Sequence, residues 1–376
     1  MKVLIAAKYS SVYGGNFIPS VESFAKYCKA KGDEIGFAFP AEAKKRQWCI
    51  NLRKEYPVYF IENQKKITEA KKINQYIKSH QYDCLYVHFS LGLVFPLSLM
   101  NPSLAIVRHT HTDMGEVPTL KSKIRMWLKR SIFYSKMSHI YVSKRLQAIE
   151  KMENKKNSCF LPNALAVSRF DMDEFPECRT EMRHELHISD DDKAILMFGW
   201  HIKVKGVDIA LQAFEKVIQR EPKTRLLIVL GENMSSDFAM KYATSETLEH
   251  VCFLPPTQDI ERYHAAADIF LSSSRSEGFS YSIMEALYFG RYVVTSNLEA
   301  VQWSLKYKTV SAFESEKVDD CAQKLCNAIK RGYENPDGHE QGETQERLNE
   351  DYSIEKWDAA VYSVLKNQYQ RKVKQR

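Results

Sequence analysis

Long apolar runs are missing from this 376-residue chain. None approaches the roughly 18 consecutive apolar residues that a membrane-spanning helix needs, so no spanning helix is expected. The N-terminal run Val3–Ala7 is too short for a secretory core and lacks a small-residue cleavage site. It reads as a first buried strand, and a cytoplasmic location follows as an expectation. Paired cysteines are missing as well. The eight cysteines, at 28, 49, 84, 159, 178, 252, 321 and 326, include no C-x-x-C pair and mostly fall inside apolar runs. That argues against a zinc or disulfide framework and for reduced core thiols. Repeats of solenoid period and low-complexity tracts are also lacking. What is present, 44% hydrophobic and 27% charged residues, is the composition of a folded globular protein. The length suits two domains.

The net charge of +7 hides an asymmetry. Residues 1–165 hold 27 Lys+Arg against 12 Asp+Glu, a balance of +15, whereas the remainder holds 27 against 35, a balance of −8. The halves are expected to face different partners. In the basic half, Lys121–Lys136 alternates cations with Ile124, Met126, Trp127, Leu128, Ile132, Phe133 and Tyr134. As a helix it would suit an anionic membrane surface, with Lys44, Lys45, Arg46, Lys65, Lys66, Lys71 and Lys72 adding to the field. The bland alternative is an amphipathic helix packed on its own sheet. No stacking motif of a nucleic-acid-binding module appears, so no nucleic acid is expected as partner.

Short apolar, β-branched runs alternate with amphipathic helical segments. Strands are expected at Val3–Lys8, Cys84–Phe89, Leu104–Arg108, Ile140–Val142 and Ser158–Leu161. A second set follows at Ala194–Phe198, Arg225–Leu230, Val251–Leu254, Ile269–Ser272 and Tyr292–Ser296. This pattern points to parallel sheets covered on both faces, occurring twice. The acidic stretch between the sets, with little periodicity, suits a linker. The resulting expectation is an α/β chain of two Rossmann-like, doubly wound domains facing a central cleft. Residues 1–170 would form the first domain, 171–192 the linker and 193–351 the second domain. A final amphipathic helix within 352–376, with Trp357, Ala360 and Val364 on one stripe, would pack back on the first domain. In such sheets ligands bind beyond the carboxyl ends of strands, so chemistry is sought there.

The segment Ser274-Arg275-Ser276-Glu277-Gly278-Phe279-Ser280-Tyr281-Ser282-Ile283-Met284-Glu285-Ala286-Leu287 follows a strand and opens a helix near Ser280. Backbone N–H groups of Phe279, Ser280 and Tyr281, with the positive end of the helix dipole, suit a diphosphate. Glu285, in the helix, is placed to accept from a ribose diol, and Glu277 from a sugar. A pair of solvated glutamates around a capped helix is the plain alternative. With Gly290 and the strand after it, the segment resembles the S-x-x-E-G-F-x-x-x-x-x-E-A signature of retaining GT-B glycosyltransferases, particularly glycosyltransferase family 4.

Other landmarks of that family recur in order along nearly the whole chain. Gly14-Gly15 follows the first strand; the resemblance places Gly15 near donor phosphates and acceptor, although an ordinary tight turn also fits. Arg108-His109-Thr110-His111-Thr112-Asp113 ends another strand. The resemblance gives His111 a contact to the donor sugar, with His109 as the alternative. A metal site here lacks a third clustered ligand. Gly199-Trp200-His201-Ile202-Lys203-Val204-Lys205-Gly206 corresponds to the family's G-R-x-x-x-x-K-G. Gly199, Lys205 and Gly206 match, but Trp200 replaces the arginine that would pair with the diphosphate. Lys203 or Arg275 would compensate, or donor binding is weaker. Ala164 stands where the family has glycine, so that loop avoids positive φ or carries strain. Asp171-Met172-Asp173 and Asp190-Asp191-Asp192 read as solvated loop, not as metal ligands.

The resemblance implies a retaining glycosyltransferase with Glu277, His111 and Lys205 in catalysis. Gly15, Gly199, Lys205, Phe279, Ser280 and Glu285 would hold the donor, a nucleotide-diphosphate sugar with a UDP-sugar favoured. No cofactor and no metal are expected. A glycan or lipid-linked acceptor of bacterial envelope or capsule assembly is the expected partner, with peripheral contact at the inner face of the membrane. Two alternatives stay open: a nucleotide-sugar epimerase of the same architecture, and a non-catalytic partner subunit, for which Trp200 argues.

Overall fold

The computed structural model describes the chain apart from residues 63–65, 90–91, 93, 112–126, 128–131, 335–337 and 376. It divides into two compact units. Unit 1 comprises Met1–Ala166 and Tyr352–Arg376; unit 2 comprises Val167–Asp351. Among the described residues, no helix is long and apolar enough to cross a membrane. All eight cysteines are free thiols.

Unit 1 is built on seven strands: β1 (Lys2–Ala7), β2 (Glu34–Pro40), β3 (Val58–Ile61), β4 (Cys84–His88), β5 (Ala105–Thr110), β6 (Ser138–Tyr141) and β7 (Ser158–Phe160). They pair in the order β3-β2-β1-β4-β5-β6-β7, all parallel. The order changes direction between β1 and β4, the switch point at which loops splay apart and ligands enter. Side chains alternate across the sheet. Val3, Ile5 and Ala7 face a core with the helices Phe17–Ala30 and Ile354–Val373. Leu4 and Ala6 face the helices Lys66–Ser79 and Val94–Met100.

The final helix buries Ile354, Trp357, Val361, Leu365 and Gln368. The stripe expected from sequence named Ala360 and Val364, which are only half-buried. The true stripe follows the i, i+4 rows of Trp357, Val361 and Leu365. Ala164 keeps φ out of the positive region, and its carbonyl accepts from Asn16 Nδ2 at 2.9 Å. No strain is stored there.

Unit 2 carries β8 (Lys193–Gly199), β9 (Thr224–Leu230), β10 (Val251–Leu254), β11 (Ile269–Ser272), β12 (Tyr292–Ser296) and β13 (Val310–Phe313). Their order is β10-β9-β8-β11-β12-β13, again parallel, with the switch between β8 and β11. Ile195, Met197 and Ile228 pack against the helices Val207–Ile218 and Val318–Glu334.

The stretch read as a linker differs from that expectation. Phe175–Glu185 is a helix belonging to unit 2. Phe175 stacks on Phe289 with centroids 5.2 Å apart. Arg183 is buried and donates to the Ala266 carbonyl at 3.0 Å, and Arg179 donates to Asp268 Oδ1 at 2.8 Å. Arginines anchored on carbonyls and a carboxylate do the work of an apolar stripe, which hides the helix from hydrophobic periodicity. Asp171 Oδ1 accepts the N–H of Asp173 at 3.1 Å, a local turn on the exposed surface.

Candidate active site

At the unit 2 switch point, the loops after β8 and β11 are tied together. Ser273 Oγ donates to the Lys205 and Gly206 carbonyls at 3.1 and 2.9 Å, and the Arg275 N–H donates to the Val204 carbonyl at 2.8 Å. Gly206 sits at φ 64°, and a Cβ there would lie 1.9 Å from the Ser273 carbonyl oxygen. Only glycine fits. Gly199 is excluded from bearing a side chain for a different reason, since a Cβ would come within 2.9 Å of Ile228 and 3.0 Å of Val207.

This clamp aims Lys205 inward. Its Nζ donates to Glu277 Oε1 at 2.7 Å, with both side chains nearly buried, and Ser274 Oγ donates to the same oxygen at 2.7 Å. The ammonium also lies over the Trp200 ring, 5.2 Å from its centroid. A cation–π contact and an ion pair together fix its position. The two residues expected to replace the missing arginine, Lys203 and Arg275, both bind Asp208, with Lys203 Nζ at 2.8 Å and the Arg275 guanidinium at 2.8 and 3.1 Å. Burial alone would raise the Asp208 carboxyl, but hydrogen bonds from Arg275 and Lys203 hold it below the usual range.

The helix Tyr281–Tyr288 begins where the signature places it. Ser280 is its N-cap, with Oγ accepting the Ile283 N–H at 3.4 Å. The Phe279 side chain is buried, stacked on Trp303 with centroids 4.7 Å apart, so it anchors the loop. Glu285 is buried and receives Arg169 Nη2 at 2.5 Å on Oε1. Burial raises its carboxyl to about 7, against the pull of Arg169. Sequence reasoning missed Arg169: it lies 116 positions from its partner, outside any recognisable motif.

Unit 1 gathers a second set at its own switch point. His88 ends β4, His109 lies in β5 and His111 follows it. His88 Nδ1 and His111 Nε2 lie 2.9 Å apart, and Tyr86 OH pairs with His109 Nδ1 at 2.7 Å. The rings of His109 and His111 stack at 4.2 Å. Burial pushes His88 and His109 well below the ordinary histidine range and His111 down to about 3, so all three are uncharged at neutral pH. The sequence argument against a metal here was the lack of a third clustered ligand. The parallel pairing of β4 and β5, which sets His88 beside His109, supplies it. The signal was a histidine closing the strand Cys84–Phe89.

Gly15 adopts φ 53° in the loop after β1, where Tyr9 OH donates to the carbonyls of Tyr13 and Gly14 at 3.0 and 3.1 Å. Most of the basic segment Lys121–Lys136, including Lys129 and Arg130, lies outside the described residues, as do Thr112 and Asp113.

Two parallel α/β units with built switch points define a class, and known proteins share it. A glycosyltransferase from Rickettsia africae superposes with a TM-score of 0.80 over 98% of both chains, at 15% identity. Anabaena HepE in complex with UDP gives 0.75 over 98% of this chain and 100% of that one, at 17% identity. The fold is therefore GT-B. Residues 192–331, most of unit 2, match the family Glycosyl transferases group 1. The N-acetyl-alpha-D-glucosaminyl L-malate synthase of Bacillus anthracis is 23% identical over 76% of this chain and 77% of its own. The fold is that of GT-B glycosyltransferases, and unit 2 carries a Glycosyl transferases group 1 region over residues 192–331.

Proposed function

We propose that this glycosyltransferase moves a sugar, a hexosyl group in the simplest form, from a nucleotide-diphosphate donor to a glycan or lipid-linked acceptor of bacterial envelope or capsular polysaccharide. The anomeric configuration is retained, and a UDP-sugar is the favoured donor. The observation that carries the reading is the Lys205–Glu277–Ser274 cluster at the unit 2 switch point, beside the start of the helix Tyr281–Tyr288.

In this reading Lys205 and the amide groups at the helix start receive the diphosphate, where negative charge develops as the sugar departs. That stabilisation asks for no metal at the phosphates and no covalent nucleophile from the chain. Glu277 orients the donor sugar. Glu285 keeps Oε1 on Arg169 and offers Oε2 to the ribose hydroxyls. Arg169 thereby becomes a positioning residue for the nucleoside. In unit 1, His111 is a sugar contact and the loop at Gly15 lets backbone approach a ligand closely. The cationic character of unit 1 supports peripheral contact with an anionic membrane on the cytoplasmic side.

The test is a thermal-shift panel of UDP, GDP, ADP and CMP, with and without EDTA. A ligand at 100 times its Kd adds about 2.7 kcal/mol. Stabilisation by UDP, unaffected by EDTA and lost in Glu285→Ala, is the expected result. No response to any nucleotide would shift the weight to a non-catalytic subunit, as Trp200 suggests. Transfer from labelled donor to membrane extract then separates transferase from epimerase.

A further inference from the structure

Unit 1 leaves two buried ring nitrogens without a hydrogen-bond partner in one place. His88 and His109 are almost wholly buried, and the Nε2 of each is unpartnered. Buried polar nitrogens are nearly always satisfied, and an ion among these rings would take up the His109 nitrogen, with His88 ligating through Nδ1 and keeping Nε2 as an N–H. His111 completes a set in which one nitrogen from each ring lies within 4.8 Å of the others. We propose that His88, His109 and His111 bind a divalent transition-metal ion of the zinc–cobalt class, which clamps the carboxyl ends of β4 and β5.

The donor set fits that chemistry. Three neutral imidazoles without a carboxylate suit zinc or cobalt rather than magnesium or calcium. Zn–N bonds of about 2.0–2.1 Å in tetrahedral geometry place the nitrogens about 3.4 Å apart. The facing pair His88 Nδ1 and His111 Nε2, now 2.9 Å apart, opens slightly, and the widest separation closes by ring rotation on fixed strands. An outer partner is already in place. Tyr86 OH at 2.7 Å from His109 Nδ1 holds a proton on that nitrogen and leaves the Nε2 lone pair for the ion, as second-shell groups do. Phe17 and Phe89 wall the cluster with rings 5.1 Å from His88 and 4.5 Å from His111, which restricts the fourth position to a single small ligand. A water completes the coordination. The ion is a structural element of unit 1 and goes beyond the transfer reading, because no step of transfer runs through it. Ligation through Nε2 leaves Nδ1 of His111 for a sugar.

The experiment is a Co2+ titration of the chelator-stripped full-length chain, with UDP stabilisation recorded in the same samples. One equivalent should bind, with the visible d–d bands of four-coordinate Co2+, and Zn2+ should displace it and raise the melting temperature. Tyr86→Phe keeps all three ligands and should weaken Co2+ binding roughly 10- to 100-fold. Absence of the bands in protein that still responds to UDP overturns the site and leaves the rings as a packed, hydrogen-bonded cluster. Bands that persist in the His88→Gln/His109→Gln double variant overturn it too, since the ion would then sit elsewhere. Co2+ bands without a UDP response support the site while counting against the donor reading.

Discussion

At the residue scale, Lys205 is the cation that the proposed reading asks to receive the diphosphate. It is nearly buried, paired with Glu277 and held over the Trp200 ring, so little rotamer freedom remains to be lost when a phosphate arrives. Lys205→Ala should lower kcat by about 10²-fold or more, as loss of one preorganised charge-stabilising group does, while circular dichroism stays unchanged. Activity within threefold of the parent would remove Lys205 from the mechanism. The same region shows what a sequence reveals. Segment 274–287 was legible because its chemistry sits in one contiguous stretch. Arg169 was not, because only the folded chain brings it to Glu285. His88 was half legible: the strand was visible, but its neighbour was set by sheet order.

At the scale of elements, β2, β3 and β13 escaped the sequence reading while the central strands did not. Glu34–Pro40 contains Gly36 and ends on Pro40, both poor strand formers. Gly36 is required because a Cβ there would collide with the Tyr82 hydroxyl at 2.0 Å. The helix Ile354–Val373 was visible, but its buried polar face was not. Asp358 is buried, receives Ser23 Oγ at 2.7 Å on Oδ2 and leaves Oδ1 unpartnered. Burial raises its carboxyl from 3.8 to about 7, with Ser23 pulling the other way. The folded state therefore favours the protonated acid. Its contribution to stability is full below about pH 4 and is lost as pH rises through about 7. Asp358→Asn should raise the melting temperature of unit 1 by a few degrees at pH 8, on the order of 1–2 kcal/mol, and by less at pH 5. Equal gains at both pH values would mean that the carboxyl does not titrate in this range.

At the scale of the whole molecule, the charge asymmetry sharpens once the final helix is counted with the unit it belongs to. Residues of unit 1 hold 33 Lys+Arg against 14 Asp+Glu, or +19, and those of unit 2 hold 21 against 33, or −12. Such a field binds anionic surfaces over about one Debye length, roughly 10 Å at 0.1 M salt and 3 Å at 1 M. The protein should sediment with phosphatidylglycerol vesicles at low salt, not with phosphatidylcholine vesicles, and should be released at 1 M salt. Equal sedimentation with both lipids would exclude an electrostatic attachment.

The chain leaves unit 1 at Ala166 and rejoins it at Tyr352, where Leu165 and Ser353 are bridged side by side. Unit 2 is thus an insertion spliced into unit 1. On the ribosome, the whole of unit 2 emerges before the helix Ile354–Val373, whose Trp357, Val361 and Leu365 share a core with Phe24 and Val3. Until that helix arrives, one face of the seven-stranded sheet has the helix Phe17–Ala30 but not the whole of its cover. Synthesis therefore completes the second unit first, and the first half of the chain to be translated is the last to acquire its finished core.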